Sequence, residues 1–152
     1  MNINKTLNIV KKLALKRKVK VYMVGGYLRD SLLKQKNVTD LDFVVYGNAK
    51  SFALEFSKKA KGSFVPLSDI FQIARVVVDK TYTFDFSKGR GKTIQDDLKQ
   101  RDFTVNAFAL DIGKTDLKNI IDNFNGLKDL KQKVIREINK NVIFLFFGIY
   151  FI

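Results

Sequence analysis

A chain of 152 residues, 46% of them hydrophobic, can bury one sizeable core and is expected to form one domain, which excludes intrinsic disorder. It contains no Cys and no His, so disulfides, zinc sites built on thiolate or imidazole, cysteine nucleophiles and Ser-His-Asp triads are excluded, and any catalysis must rest on carboxylates, Lys, Arg or an oxygen-ligated metal. The net charge of +13 suits a polyanionic partner such as RNA, and with six Arg against 22 Lys each Arg stands out.

Residues 3–17 carry Ile3, Leu7, Val10 and Ala14 at helical spacing, which predicts a helix with that stripe on the core and its lysines outward. Lysines and Arg17 between positions 5 and 20 interrupt every apolar run long enough for a signal peptide, so with no Cys the expectation is a cytoplasmic protein. The apolar run 21–24 stops at Gly25-Gly26, and Leu28, Leu32 and Leu33 after it predict a strand turning through glycines into a helix. Such a turn lets an anion approach the backbone, with the unpaired N–H groups of the helix's first turn aimed at it and Arg29 alongside.

Asp40-Leu41-Asp42-Phe43-Val44-Val45 opens a second strand. Alternation sets Asp40 and Asp42 on one face, roughly 6.6 Å apart at Cα, with Leu41 and Phe43 in the core. Two carboxylates that close repel unless a cation lies between them, and an all-oxygen pair suits a hard ion such as Mg²⁺. Glycine turn, Arg and paired carboxylates fall within 18 residues, from Gly25 to Asp42, and together they point to metal-assisted attack at a phosphate.

Residues 49–61 read as a helix with Phe52, Leu54 and Phe56 partly buried, closed by Gly62. Residues 71–78 and 82–86 read as two strands of a hairpin turning at Asp79-Lys80-Thr81, and Pro66 is expected between strands. In the second strand Asp85 lies opposite Phe84 and Phe86, as either a solvent-facing residue or a third metal ligand. The basic loop that follows ends in Gly91-Lys92-Thr93, but a Walker A spacing would need glycine where Phe86 stands. A short helix is expected over 94–101. Arg101, Asp102, Thr104 and Asn106 then crowd four polar groups into the stretch before the apolar Phe108-Ala109-Leu110. Arg suits bidentate phosphate contact, and Asp and Asn can accept from ribose hydroxyls, so the cluster reads as the second wall of a nucleotide site. On this reading Arg29 and Arg101 await a ligand and have no obligatory internal partner.

GGYLRD, DLD and RDFTVNAFAL, followed by DNFNGLKDL at 122–130 and Val134-Ile135-Arg136, resemble the head domain of class II tRNA nucleotidyltransferases (CCA-adding enzymes) and bacterial poly(A) polymerases. The resemblance runs from about Val21 to Ile138. It implies an α/β (α+β) fold, a polymerase-β-like nucleotidyltransferase palm whose mixed, mostly antiparallel sheet is flanked by helices. It also implies template-independent addition of CMP or AMP from CTP or ATP to the 3′ end of tRNA or another RNA. By motif position, Asp40 and Asp42 would be catalytic and hold Mg²⁺, and Gly25, Gly26, Arg29 and Arg101 would bind the nucleotide. Gln100 departs from a doubled arginine before Asp102, and Asn123 from a common proline after Asp122.

The expected organisation is a head over 1–138 and an atypical hydrophobic tail over 139–152. After Ile138 the family continues into a helix that reads the incoming base and then into domains that grip RNA; here the chain gives eleven uncharged residues, 142–152, and stops. These are too few for the roughly 20 that span a bilayer. They suggest a truncated or out-of-frame terminus, with self-association through the tail as a further expectation. Two other readings stand beside the enzyme: a non-catalytic remnant that binds nucleotide or RNA, and a D-x-D glycosyltransferase.

Overall fold

The computed structural model describes residues 3–35, 38–114 and 116–138. Amphipathic spacing builds α1 (Ile3–Arg17), which turns Val10, Leu13 and Ala14 inward. There follow β1 (Lys20–Val24), α2 (Gly26–Leu32), β2 (Asp40–Tyr46), α3 (Ala49–Ala60), β3 (Ser63–Ser68), β4 (Ile73–Val78), β5 (Tyr82–Lys88) and α4 (Ile94–Leu98). A 3-10 turn (Thr104–Asn106), β6 (Phe108–Asp111), a second 3-10 turn (Leu117–Asn119), β7 (Ile121–Asp122) and α5 (Gly126–Gln132) complete the described chain. The strands form one sheet in the order β3-β4-β5-β2-β1-β6-β7, antiparallel throughout except for the parallel pair of β2 and β5.

That parallel pair dictates the layering, because a parallel return needs a crossover and α3 begins it on one face. On this back face Phe43, Phe84 and Phe86 of β2 and β5 meet Phe52 and Phe56 of α3, with ring centroids 5.1–6.0 Å apart. All five are fully buried, at about 1.5–3 kcal/mol each. Truncating Phe43 to Ala would cost about 3–5 kcal/mol. Alternation sends the intervening residues to the front face, where Tyr22, Val24 and Val44 are covered by Ile94, Leu98 and Ala107. The front cover is small, and Asp40, at the start of β2, lies beyond it, exposed.

Several local expectations are corrected. Pro66 lies inside β3, tolerated because β3 is the edge of the sheet and a residue without an N–H costs least there; the register shifts between Pro66 and Ser68. Leu54 is 42% exposed, since Phe52 and Phe56 one turn apart occupy the core stripe and Leu54 falls on the other side. Lys61, not Gly62, takes the left-handed position that ends α3, at φ 54°. Gly62 instead gives β4 room, for a Cβ there would lie 2.8 Å from the Val77 carbonyl. The first hairpin strand begins at Ile73, two residues late, because Gln72 turns at φ 48° and donates to the Asp69 carbonyl. The helix expected over 94–101 ends at Leu98. The hairpin turn at 79–81 is as expected, with Asp79 and Lys80 both at positive φ. The hydrophobic tail, 139–152, lies outside the described residues.

Candidate active site

The register of β1 on β2 sets Val24 against Asp42, so the glycine turn leaves β1 directly over that carboxylate. Gly25 sits at φ 73°, ψ −150°, a conformation essentially closed to residues with a Cβ. A Cβ built there would lie 2.9 Å from Asp42 Oδ2. Gly25 therefore does two things at once: it makes the turn and it lets the Asp42 carboxylate pack close against the backbone. Gly26 begins α2, and no side chain caps that helix, so its first N–H groups face outward without a protein acceptor from a cap.

Asp40 and Asp42 share the front face, as alternation predicts, and neither side chain makes a hydrogen bond or ion pair among the described residues. The parallel register adds a third carboxylate, because Asp85 of β5 lies beside Asp42. Burial first, then the charges of Asp85 and Asp40, push the Asp42 carboxyl above the usual carboxylate range, while Arg101 and Arg75 pull against them. Asp85 itself is forked by Arg75 of β4, with Nε and Nη2 each donating at 2.8 Å. It thus lies beside Asp42 but is held by Arg75 rather than free in solvent. Among the described residues no group of three acidic side chains is close enough to hold a metal ion.

Arg101 lies near enough to act on Asp42, and Arg29 on α2 reaches the 3-10 turn 104–106, but the expectation that they lack internal partners is wrong. Arg29 donates from Nε to Asp30 at 2.8 Å and from Nη1 to the Asn106 side-chain carbonyl at 2.6 Å, which ties α2 to the 3-10 turn 104–106. Asn106 in turn donates to Asp102, whose carboxylate also accepts from the Phe103 N–H. Arg101 donates from Nε and Nη2 to Asp97 Oδ2, at 3.3 and 3.1 Å. Asp97 is buried and takes the Arg90 N–H on its other oxygen. A buried carboxylate left alone is costly, so Arg101 answers a structural need before any ligand arrives.

Other parts of the expected wall serve the fold. Thr104 donates inward to Asp129, which Arg136 also reaches, so the later motif braces the wall from behind. Ile138 N–H donates to the Asp102 carbonyl, closing the segment onto the same wall. Gly91-Lys92-Thr93 opens α4: Thr93 caps the helix in a capping box with Asp96, whose carboxylate also accepts the Lys92 N–H. The Tyr46 hydroxyl is buried without a hydrogen-bond partner in the described structure, and burial, then the charge of Asp97, pushes it up to about 12. Sequence reasoning missed Arg75 and Asp97 as elements of this face, and it placed Asn106 in the wall without seeing that it holds Arg29. Arg75 was within reach, because counting back three residues from Val78 along one hairpin strand and on three from Tyr82 along the other sets Arg75 opposite Asp85.

Residues 21–136 match the family described as the poly A polymerase head domain. The chain is 36% identical over 135 residues to the A-adding tRNA nucleotidyltransferase of Aquifex aeolicus, covering 80% of this chain and 16% of that protein. It is 39% identical over 116 residues to the CC-adding tRNA nucleotidyltransferase of Geobacter sulfurreducens, covering 76% of this chain and 26% of that one. It therefore spans well under half the length of the curated relatives it matches. Among solved structures, the Thermotoga maritima CCA-adding enzyme complexed with tRNA superposes with a TM-score of 0.79 at 36% identity, over 90% of this chain and 33% of that one. A tRNA nucleotidyltransferase complexed with a primer tRNA and an incoming ATP analog superposes at 0.76, also at 36% identity, over 86% of this chain and 39% of that one.

Proposed function

The chain belongs to the poly A polymerase head domain family, and on that premise we propose that its front face is the nucleotide- and metal-binding part of an enzyme that transfers CMP or AMP to the 3′ end of tRNA. The observation that carries this reading is the close approach of the glycine turn to Asp42, one of two carboxylates on this face, Asp40 and Asp42, that make no ion pair among the described residues. Solved relatives with tRNA, with an ATP analog and with CTP support both partners.

The residues fit Mg²⁺ as a donor set: Asp40 and Asp42 offer hard oxygens on one face and make no ion pair among the described residues. When bound, the metal would lower the pKa of an RNA 3′ hydroxyl and neutralise charge on the phosphates. The chain's own residues do the rest. Gly25 and Gly26 let a triphosphate approach the backbone, where the uncapped N–H groups of α2 can donate to it. Arg29, held by Asn106, and Arg101, held by Asp97, present guanidinium donors that are already oriented, so little side-chain entropy is lost when a phosphate arrives. With no Cys present we place the protein in a reducing, cytoplasmic compartment.

A second reading, in which this head binds nucleotide without turning it over, is favoured by Arg29 and Arg101 being already engaged by Asp30, Asn106 and Asp97. Incubation with a tRNA lacking its 3′ terminus and α-labelled CTP or ATP separates the readings. Transfer predicts label in RNA that disappears on chelation of Mg²⁺ and in Asp42→Asn. Nucleotide binding with no label in RNA would establish the binding-only reading, and label passing to a sugar acceptor would overturn both.

A further inference from the structure

The charge of this chain is not spread evenly. α1 and the residue that ends it carry Lys5, Lys11, Lys12, Lys16, Arg17 and Lys18 with no acidic residue, and α3 with its C-cap adds Lys50, Lys58, Lys59 and Lys61. Both helices cover the back of the sheet, so ten cations lie on the side away from Asp40, Asp42 and Asp85, against the carboxylates of Glu55 and of Asp69, which pairs with Lys50.

Glu55 marks the seam of this surface. It accepts from Lys16 and Arg17 across the two helices, at 3.4 and 2.8 Å. Lys12 lies one turn before Lys16, and Lys58 and Lys59 one turn after Glu55, which crowds more positive charge around one acid than it can neutralise. Lys5, Lys12, Lys18, Lys58, Lys59 and Lys61 have no ion pair among the described residues. The helix dipole accounts for Lys16, Arg17 and Lys18 at the end of α1, but Lys5 sits in its first turn, where the dipole disfavours a cation. Folding does not explain these charges.

We infer that the α1/α3 face is a second polyanion site, one that takes the phosphate backbone of an RNA helix while the carboxylate face opposite works on an RNA end. Lysines one turn apart on a helix are spaced by about 5–6 Å, similar to successive phosphates along a strand. A membrane surface fits less well, because a helix that lies on a bilayer needs an apolar face to bury there, and the apolar stripes of α1 and α3 are already in the core. The surface rests on charge placement alone and holds whether or not the front face transfers nucleotide.

The test is anisotropy of a short labelled RNA duplex bound to the whole chain over a salt series. Lys12→Glu/Lys59→Glu should weaken binding at least tenfold at about 0.1 M salt and lower the slope of log K against log salt by about 2, since each lost phosphate contact removes about 0.9. Lys128→Glu/Lys131→Glu on α5 changes net charge equally and should stay within about twofold of the parent. Equal loss from both pairs would reduce the effect to net charge and overturn the inference, as would no loss from either, or binding to anionic vesicles with none to RNA. Should the glutamate pair fail to fold, Lys12→Gln/Lys59→Gln carries the same comparison, with a slope change still about 2.

Discussion

Asp42→Asn should make this protein more stable. In the folded chain Asp42 is half-buried, two residues along its strand from Asp40 and in register with Asp85, distances of roughly 6.6 and 4.8 Å at Cα. Two like charges about 6 Å apart repel by about 0.7 kcal/mol at the dielectric of water and about 3 kcal/mol at an effective dielectric near 20. Burial weighs most against the Asp42 charge; with this repulsion added, with Arg75 already answering Asp85 and Arg101 offsetting part of the remainder, a net penalty of about 1–2 kcal/mol is left. Removing it should raise Tm by about 2–8 °C for a chain of this size. The pH dependence has a definite sign. Because the folded carboxyl titrates above its unfolded value, the native state binds more protons in the window between the two, and stability falls as pH rises through it. The gain in Asp42→Asn should therefore be full at neutral pH and vanish below the ordinary carboxylate pKa, where the parent is protonated in both states. Thermal melts of parent and variant across pH read this directly. A variant less stable than the parent at neutral pH, or one whose gain is the same in acid, would refute the reasoning.

Where nucleotide transfer is measured, as label incorporated into RNA, the same substitution should lower its rate about a thousandfold, about 4 kcal/mol in the barrier. Arg101→Ala should cost about 3 kcal/mol in a denaturant melt, because it strands the buried Asp97, and should also weaken nucleotide binding; a variant as stable as the parent would show that Asp97 finds another partner. Gly25→Ala should cost about 1–3 kcal/mol through its disallowed backbone and displace Asp42, so that Mg²⁺ no longer raises Tm; unchanged Mg²⁺ stabilisation would disprove the role given to that close approach. On the proposed assignment Gly25, Gly26, Arg29, Arg101 and the aspartates would address phosphate and ribose only, so residues 1–152 should bind ATP, CTP, GTP and UTP with similar, weak affinity, and a preference beyond about tenfold in competition titrations would contradict that.

Period and glycine placement made most of the architecture legible in the sequence. The 3.6-residue spacing of Val10 and Ala14 and the alternation around Asp40 and Asp42 are local signals, and the structure follows them. What escaped was decided by pairing between distant strands. The parallel register that brings Asp85 beside Asp42 links residues more than 40 apart, and nothing near either one announces it. Residue type and position single out Arg29 and Arg101 but wrongly leave them free, because the contact with Asn106, 77 residues on, and the burial of Asp97 are properties of the folded chain. Asp97 in particular follows Asp96 in a helix start where acidic residues are ordinary, and only its burial separates it from a cap. Pro66 misled for the opposite reason: the rule against proline in strands is strong, and being on the edge is a property of the whole sheet.

The central claim is that Asp40 and Asp42 hold Mg²⁺ for a nucleotide lodged at the glycine turn. Titration calorimetry of ATP into the chain, with Mg²⁺ and with chelator, against the parent and Asp40→Asn/Asp42→Asn, tests it most directly. The account predicts saturable binding by the parent that needs Mg²⁺ and is lost in the double variant while its melt stays cooperative; equal Mg²⁺-dependent affinity in parent and double variant would contradict it.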